Sequence, residues 1–291
     1  MAIRKILCPV DFSDGSRHAL EAASKLAADR DAELVVLHVV NIPAIAYSTE
    51  LVASGLAEGQ LLDAAAAPLA EATSDARAAG AARVSSRLDS GPAAEVILDI
   101  LGDHRFDLCV LGTTGRTGLA HVLLGSIAEK VVRRAPCPTL TIRPDAAFAL
   151  PRHVMCPVDF SPSSSHAAEA ATQLVRPGGA ITLLHVLELP TRYSGGLTDE
   201  AIARSIAPHA AGYLDDWAAR LRARCSDIRI HSRIGSPGAQ ILAALDHDDT
   251  VDLVCMGSRG RTGVRHLLFG SVAEKVVRHA RCPVFVARER A

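Results

Sequence analysis

The chain repeats itself once along its whole length. KILCPVDFSDGSRHALEAASKLA, from Lys5, matches HVMCPVDFSPSSSHAAEAATQLV, from His153, and sets Asp11 opposite Asp159 at a separation of 148 residues. LVVLHVV matches ITLLHVL, and SGPAAEVILDIL matches SPGAQILAAL with Pro92 opposite Pro237, 145 residues apart, as are the closing APCPTLTI and ARCPVFVA. A separation that drifts so little indicates duplication of a whole domain with small loop deletions, not a solenoid of short period. In 291 residues this leaves two domains of ordinary size, each able to bury its own core. They are read as residues 1–145 and 151–291, with the seam in RPDAAFALPR.

Each half alternates short apolar runs with longer Ala-rich stretches. In the first half the runs are KILCPV, ELVVLHVV, RVSSRL, DLCVLG and PTLTI. Runs apolar on both faces fit strands buried between helical layers, while Leu20, Ala23 and Ala27 have helical spacing. The order predicts an α/β fold: two tandem doubly wound domains, each a parallel sheet flanked by helices. Gly91-Pro92 and Ser236-Pro237 mark the passage from a strand to a helix, where a missing N–H costs little. Asp29-Arg30-Asp31 and Gly178-Gly179 are expected to close the first helix of each half. Residues 43–80 and 190–225 read as a loop plus a helix joining the second and third strands.

Charge narrows the partners. Lys plus Arg number 31 against 32 for Asp plus Glu, a formal net charge of −1 with no long basic run, so nucleic acid is not the expected partner. Hydrophobic residues make up 49%, yet no apolar stretch reaches a bilayer-spanning length and MAIRKILCPVDFS lacks the apolar core of a signal peptide. A cytoplasmic chain with no membrane contact is the expectation. The seven cysteines form no CxxC pair and are read as buried, reduced thiols. Among the twelve histidines, none has a partner at metal-ligand spacing, and His38 and His185 are read as structural.

The stretch with chemistry in it is GTTGRTGLAHVLLGS, residues 112–126, which returns as GSRGRTGVRHLLFGS, residues 257–271. Each begins where the fourth strand should end and runs into SIAE or SVAE, read as capping boxes opening the last helix. Glycines allow positive φ and close backbone approach, and a helix N-terminus presents N–H groups with partial positive charge. Together they suit phosphate, and Arg116 and Arg261 add a cation. The spacing GxxGx9GS has no Lys before its Ser, so it is not the nucleoside-triphosphate loop GxxxxGK[ST]. Nor does it follow the first strand as the dinucleotide fingerprint does. Asp11 and Asp159 end the first strand of each half. Their plain reading is a cap or turn residue. The alternative is a carboxylate facing the glycine loop across the crevice where strand order reverses, placed for ribose hydroxyls.

CPVDFS, LLHV, the GxxGx9GS loop and the closing CPV-type strand, each present twice, resemble the universal stress protein family in its tandem form, with the loop of its ATP-binding members. The resemblance implies a five-stranded sheet of order 3-2-1-4-5 in each half. It also implies an internal pseudo-dimer through the last strands, and dimers of tandem chains. It implies that Pro9, Val10 and Asp11 touch adenosine, that Val39 meets the adenine edge through its backbone, and that Leu111, Gly112, Gly115, Gly125, Ser126 and Ile127 hold ribose and phosphates. The matching second set is Pro157, Val158, Asp159, Val186, Met256, Gly257, Gly260, Gly270, Ser271 and Val272. The ligand is taken as ATP, with ADP and AMP open and Mg2+ accompanying the phosphates.

The expected function is therefore a nucleotide-responsive stress or signalling module whose protein partner the sequence does not name. No general base or Lys clamp of the sort phosphoryl transfer recruits stands out. A slow ATPase or nucleotidyl transferase using the same sites is the alternative, and a nucleotide-free scaffold a third. Ser13 and Ser161 have no GxSxG elbow and are read as helix caps, not nucleophiles.

Overall fold

The computed structural model describes residues 2–40, 56–115, 124–144, 148–188, 199–260 and 269–288, with backbone alone at 56–57 and 199–207. Their contacts define two compact units, Ala2–Ala149 and Leu150–Glu289.

The first unit runs β1 (Lys5–Pro9), α1 (Asp14–Arg30), β2 (Glu33–Val40), α2 (Leu56–Ala78), β3 (Arg83–Ser90), α3 (Ala93–Asp103), β4 (Leu108–Gly112), α4 (Ser126–Arg134) and β5 (Thr139–Ile142). Its strands pair in parallel in the order β3-β2-β1-β4-β5. The second unit runs β6 (His153–Val158), α5 (Pro162–Leu174), β7 (Ala180–Leu187), α6 (Asp199–Arg222), β8 (Asp227–Ile234), α7 (Pro237–His247), β9 (Leu253–Gly257), α8 (Ser271–His279) and β10 (Val284–Ala287). Its parallel order, β8-β7-β6-β9-β10, is the same 3-2-1-4-5 pattern. No helix among the described residues is long and apolar enough to cross a membrane.

The burial follows the composition. Ile6, Leu7, Cys8, Leu34, Val36, Leu37, Leu108 and Val110, on the three inner strands of the first unit, have no exposed surface at all. The outer strand β3, RVSSRLDS, has no fully buried residue. Helix α1 packs through Ala19, Ala22, Ala23, Leu26 and Ala27. These are mostly methyl side chains, which let it lie close to the sheet. Burying Leu26 alone contributes about 2 kcal/mol. All seven cysteines are buried free thiols. Burial pushes Cys109 well above the usual thiol range and Cys282 up to about 11, so neither offers a thiolate near neutral pH.

Two local expectations are corrected. Gly91 and Gly235 are structural equivalents: both have positive φ, +128° and +131°, and each donates its N–H to the end of the second strand, at Val40 O and Leu187 O. Pro92 is therefore the N-cap of α3 while Pro237 is the first residue of α7, one place out of register with the sequence match. Helix α1 does end at Asp31, in the left-handed region (φ 47°, ψ 44°). Helix α5, however, stops at Leu174, before the Gly178-Gly179 pair, with Val175 already extended. Pro177 disfavours helical geometry at Arg176, and the Arg176 N–H instead donates to Pro151 O at 2.9 Å.

Candidate functional site

The end of β1 is shaped by an unusual backbone. Phe12 has φ +63° and Phe160 φ +65°, a region bulky residues rarely enter. The turn is held by the preceding carboxylate. The Ser13 N–H and hydroxyl both donate to Asp11 Oδ1, at 3.1 and 2.5 Å, and Ser13 Oγ accepts from Ser16 N–H as the N-cap of α1. The second unit repeats this with Ser161 on Asp159 Oδ1 at 3.1 and 2.6 Å, and Ser161 capping α5. The serines are helix caps, as expected. The left-handed phenylalanine lays its ring on a histidine of the next strand. Phe12 stacks on His38 at 4.3 Å, and Phe160 leans on His185 at 4.7 Å and reaches Tyr213 and Trp217. Each histidine is buried and donates Nδ1–H to a carbonyl, Val10 O or Val158 O, at 2.7 and 2.8 Å. Structural roles for His38 and His185 follow. The phenylalanines were not singled out from sequence, although their repetition after Asp was a visible signal.

The two oxygens of each aspartate divide their roles. Oδ1 takes part in the turn, and Oδ2 lies against the glycine loop that follows β4. A Cβ built on Gly115 would lie 2.7 Å from Asp11 Oδ2, and one built on Gly260 2.8 Å from Asp159 Oδ2. So the structure brings Asp11 and Gly115, and Asp159 and Gly260, face to face. Gly112 and Gly257 serve another purpose. Their added Cβ would lie 2.6 Å from Gly15 C and O, and 2.7 Å from the Ser163 carbonyl carbon, so they admit the first helix against the fourth strand.

The start of the last helix differs from the predicted capping box. Gly125, not Ser126, is the N-cap of α4, without a side-chain hydrogen bond, and Gly270 does the same for α8. The cause is the Gly125 N–H, which donates to Thr113 O at 2.7 Å and draws that residue onto the end of β4; Gly270 N–H donates to Ser258 O at 2.8 Å. Glu129 and Glu274 pair forward with Arg133 and Arg278 at 3.6 Å. A helix that begins on glycine has no hydroxyl of its own on its first amides, and those amides attract anions. Ser126, Ile127 and Ser271 are exposed there and Val272 is half-buried. None of the loop glycines 112, 115, 125, 257, 260 and 270 has positive φ. Their use is the close approach that a Cβ would block.

The remaining expected contacts fall around the same edge. β1 ends at Pro9, paired with Leu37, and the Val10 N–H is spent on Leu37 O. Val40 O faces β3, accepting from Gly91, so the alternation of a strand turns the Val39 backbone toward β1, just past its end. Val186 stands likewise, one residue before Leu187 O accepts from Gly235. Leu111 and Met256 are buried in β4 and β9, and Val10 and Val158 are buried; Pro9 and Pro157 are half-buried beside them. Arg116 and Arg261, with His121 and His266, lie outside the described residues. Among the described residues, no three His, Cys, Asp or Glu side chains gather as a metal site requires.

Comparison with known proteins agrees with this architecture. The family model described as Universal stress protein family matches twice, over residues 2–143 and 151–288. A universal stress protein of Mycobacterium tuberculosis is 32% identical over 297 residues, covering 95% of each chain. One from Methanocaldococcus jannaschii is 35% identical over 146 residues, 48% of this chain and 82% of its own. The crystal structure of a universal stress protein from Archaeoglobus fulgidus superposes over 100% of both chains with a TM-score of 0.72 at 23% identity, a likeness of fold.

Proposed function

The chain belongs to the universal stress protein family, and we propose that each of its two domains binds an adenine nucleotide, ATP ahead of ADP or AMP, as the switch of a stress-signalling module. The observation that carries this reading is the facing pair of rims, found twice: a carboxylate oxygen turned toward a glycine that has no room for a side chain. In this reading Asp11 Oδ2 and Asp159 Oδ2 accept from ribose hydroxyls, and the outward-turned backbones of Val39 and Val186 meet the adenine edge. Pro9, Val10 and Leu111, with Pro157, Val158 and Met256, supply the apolar wall. Phosphates rest on the amides at Gly115 and at Gly125 to Ile127, and on those at Gly260 and at Gly270 to Val272, with Arg116 and Arg261 completing the charge. Mg2+, where present, comes with the phosphates.

Binding without fast turnover fits the surroundings. His38 and His185, the described histidines beside the crevice, hold main-chain carbonyls and carry phenylalanine rings, which makes them wall and not base. Acid treatment of purified protein is expected to release adenine nucleotide, up to two equivalents per chain after soaking in ATP. Release of none, from native and soaked samples alike, overturns the proposal. Steady phosphate production that disappears in D11A/D159A would move the protein to the slow-ATPase class. Self-association of tandem chains belongs to the same reading and is checked by light scattering with and without ATP.

A further inference from the structure

We propose that the two nucleotide sites are not copies: the second is the one suited to the longer, more highly charged phosphate chain, and Arg259 is the residue that sets the difference. The inference rests on the nucleotide reading above and adds a specificity to it. Before the glycine that faces the carboxylate, the first site has Thr114 and the second has Arg259. The backbone of Arg259 sits between two helix starts. Its carbonyl oxygen lies 3.5 Å from Ser161 Oγ, the cap of α5, and its N–H points to Ser163 Oγ, also at 3.5 Å. On the other side its Cα lies 3.6 Å from the point a Cβ on Gly270 would occupy, at the N-cap of α8. An exposed guanidinium thus originates beside the amides proposed to hold phosphate.

Two further differences have the same sign. On the outer strand, Asp89 pairs with Val39 while Arg233 pairs with Val186. Within the loop sequences, the second holds Arg259, Arg261 and Arg265 where the first holds Arg116 alone, and of these four only Arg259 is among the described residues. Each added phosphate brings more negative charge, so an additional arginine favours ATP over AMP and does little for the adenosine end. An exposed pair of this kind is worth up to about fivefold in affinity, is strongest with the forked geometry of Arg, and fades as salt rises.

The test uses the full-length chain, R259T, R259K and T114R, titrated calorimetrically with AMP, ADP and ATP. Trp217, the one tryptophan of the sequence, lies 5.7 Å from Phe160 beside Asp159, so its fluorescence assigns the second site. The ratio of ATP to AMP affinity is expected to be about threefold to fivefold larger at the second site than at the first. R259T should close that gap, R259K should retain most of it, T114R should open it at the first site, and high salt should shrink it. Equal ratios at the two sites, or an R259T that weakens AMP and ATP alike, overturn the proposal. Absence of nucleotide binding in every form would instead remove the parent reading, a distinct result.

Discussion

Lys5 and His153 occupy the same place, the first residue of the innermost strand, and the two domains treat it differently. Lys5 reaches the surface, over the Phe106 ring at 5.1 Å and 3.5 Å from Glu33. His153 is buried, with Nδ1 2.8 Å from Thr250 Oγ1 and Nε2 2.7 Å from Thr182 Oγ1. Because Thr250 already donates its hydroxyl proton to Asp248 Oδ1 at 2.5 Å, His153 must donate from Nδ1, and its Nε2 must accept from Thr182. A duplicated frame therefore keeps a surface lysine in one copy and a buried imidazole in the other. What duplication preserves is backbone; what it leaves open is which side chains meet on it.

The most forceful way to break that comparison is to exchange a residue the backbone does not permit. A Cβ on Gly15 would lie 2.4 Å from Thr114 O, whereas the second domain has Ser163 at the equivalent place. Gly15→Ser, although it only installs the other domain's residue, is expected to cost about 2–4 kcal/mol in the first domain. The reverse change, Ser163→Gly, should cost under about 1 kcal/mol. Urea unfolding of both variants measures this, and equal costs would mean that the two loops are interchangeable after all.

Next in size, Asp11→Ala and Asp159→Ala should each lower nucleotide affinity tenfold or more at one site only. Each should also take about 1–2 kcal/mol from its domain by releasing the two hydrogen bonds of the turn. Calorimetric stoichiometry falling from two to one in either variant is the expected reading; loss of both sites from one substitution would show that the domains are coupled.

The smallest effect is in pH. Burial lowers the pKa of His153 from its ordinary value of 6.5, and Arg229 acts in the same direction, while Asp248, Asp252 and Asp227 oppose them. The folded state thus resists a proton that the unfolded chain accepts. Its contribution is complete above about pH 6.5 and is lost as the pH falls toward the lowered value. Melting curves at pH 7.5 and 5.5 should show a larger drop for the natural chain than for His153→Gln, while Lys5→Gln should leave that difference unchanged.

Much of the fold was legible because its signals are repeated and local: five apolar runs, helical alanine spacing and paired breakers recur in both halves. What was not legible depended on long-range contacts. The capping-box pattern SIAE failed because Gly125 is tied to Thr113 O, a bond no neighbouring residue announces. The proline register slipped because Gly91 and Gly235, not the prolines, are anchored to the second strand. At the site, the aspartates and glycines were readable from composition and position. That one oxygen holds a turn while the other faces Gly115 required the left-handed Phe12, which sequence periodicity does not encode.

The seven sequestered thiols have a practical meaning of their own. Cys8, Cys109 and Cys137 lie in the first unit and Cys156, Cys225, Cys255 and Cys282 in the second, all of them buried. An alkylating reagent added to intact protein should find almost nothing to modify, and the order in which these sulfurs become labelled under heat or denaturant would time the opening of each half separately.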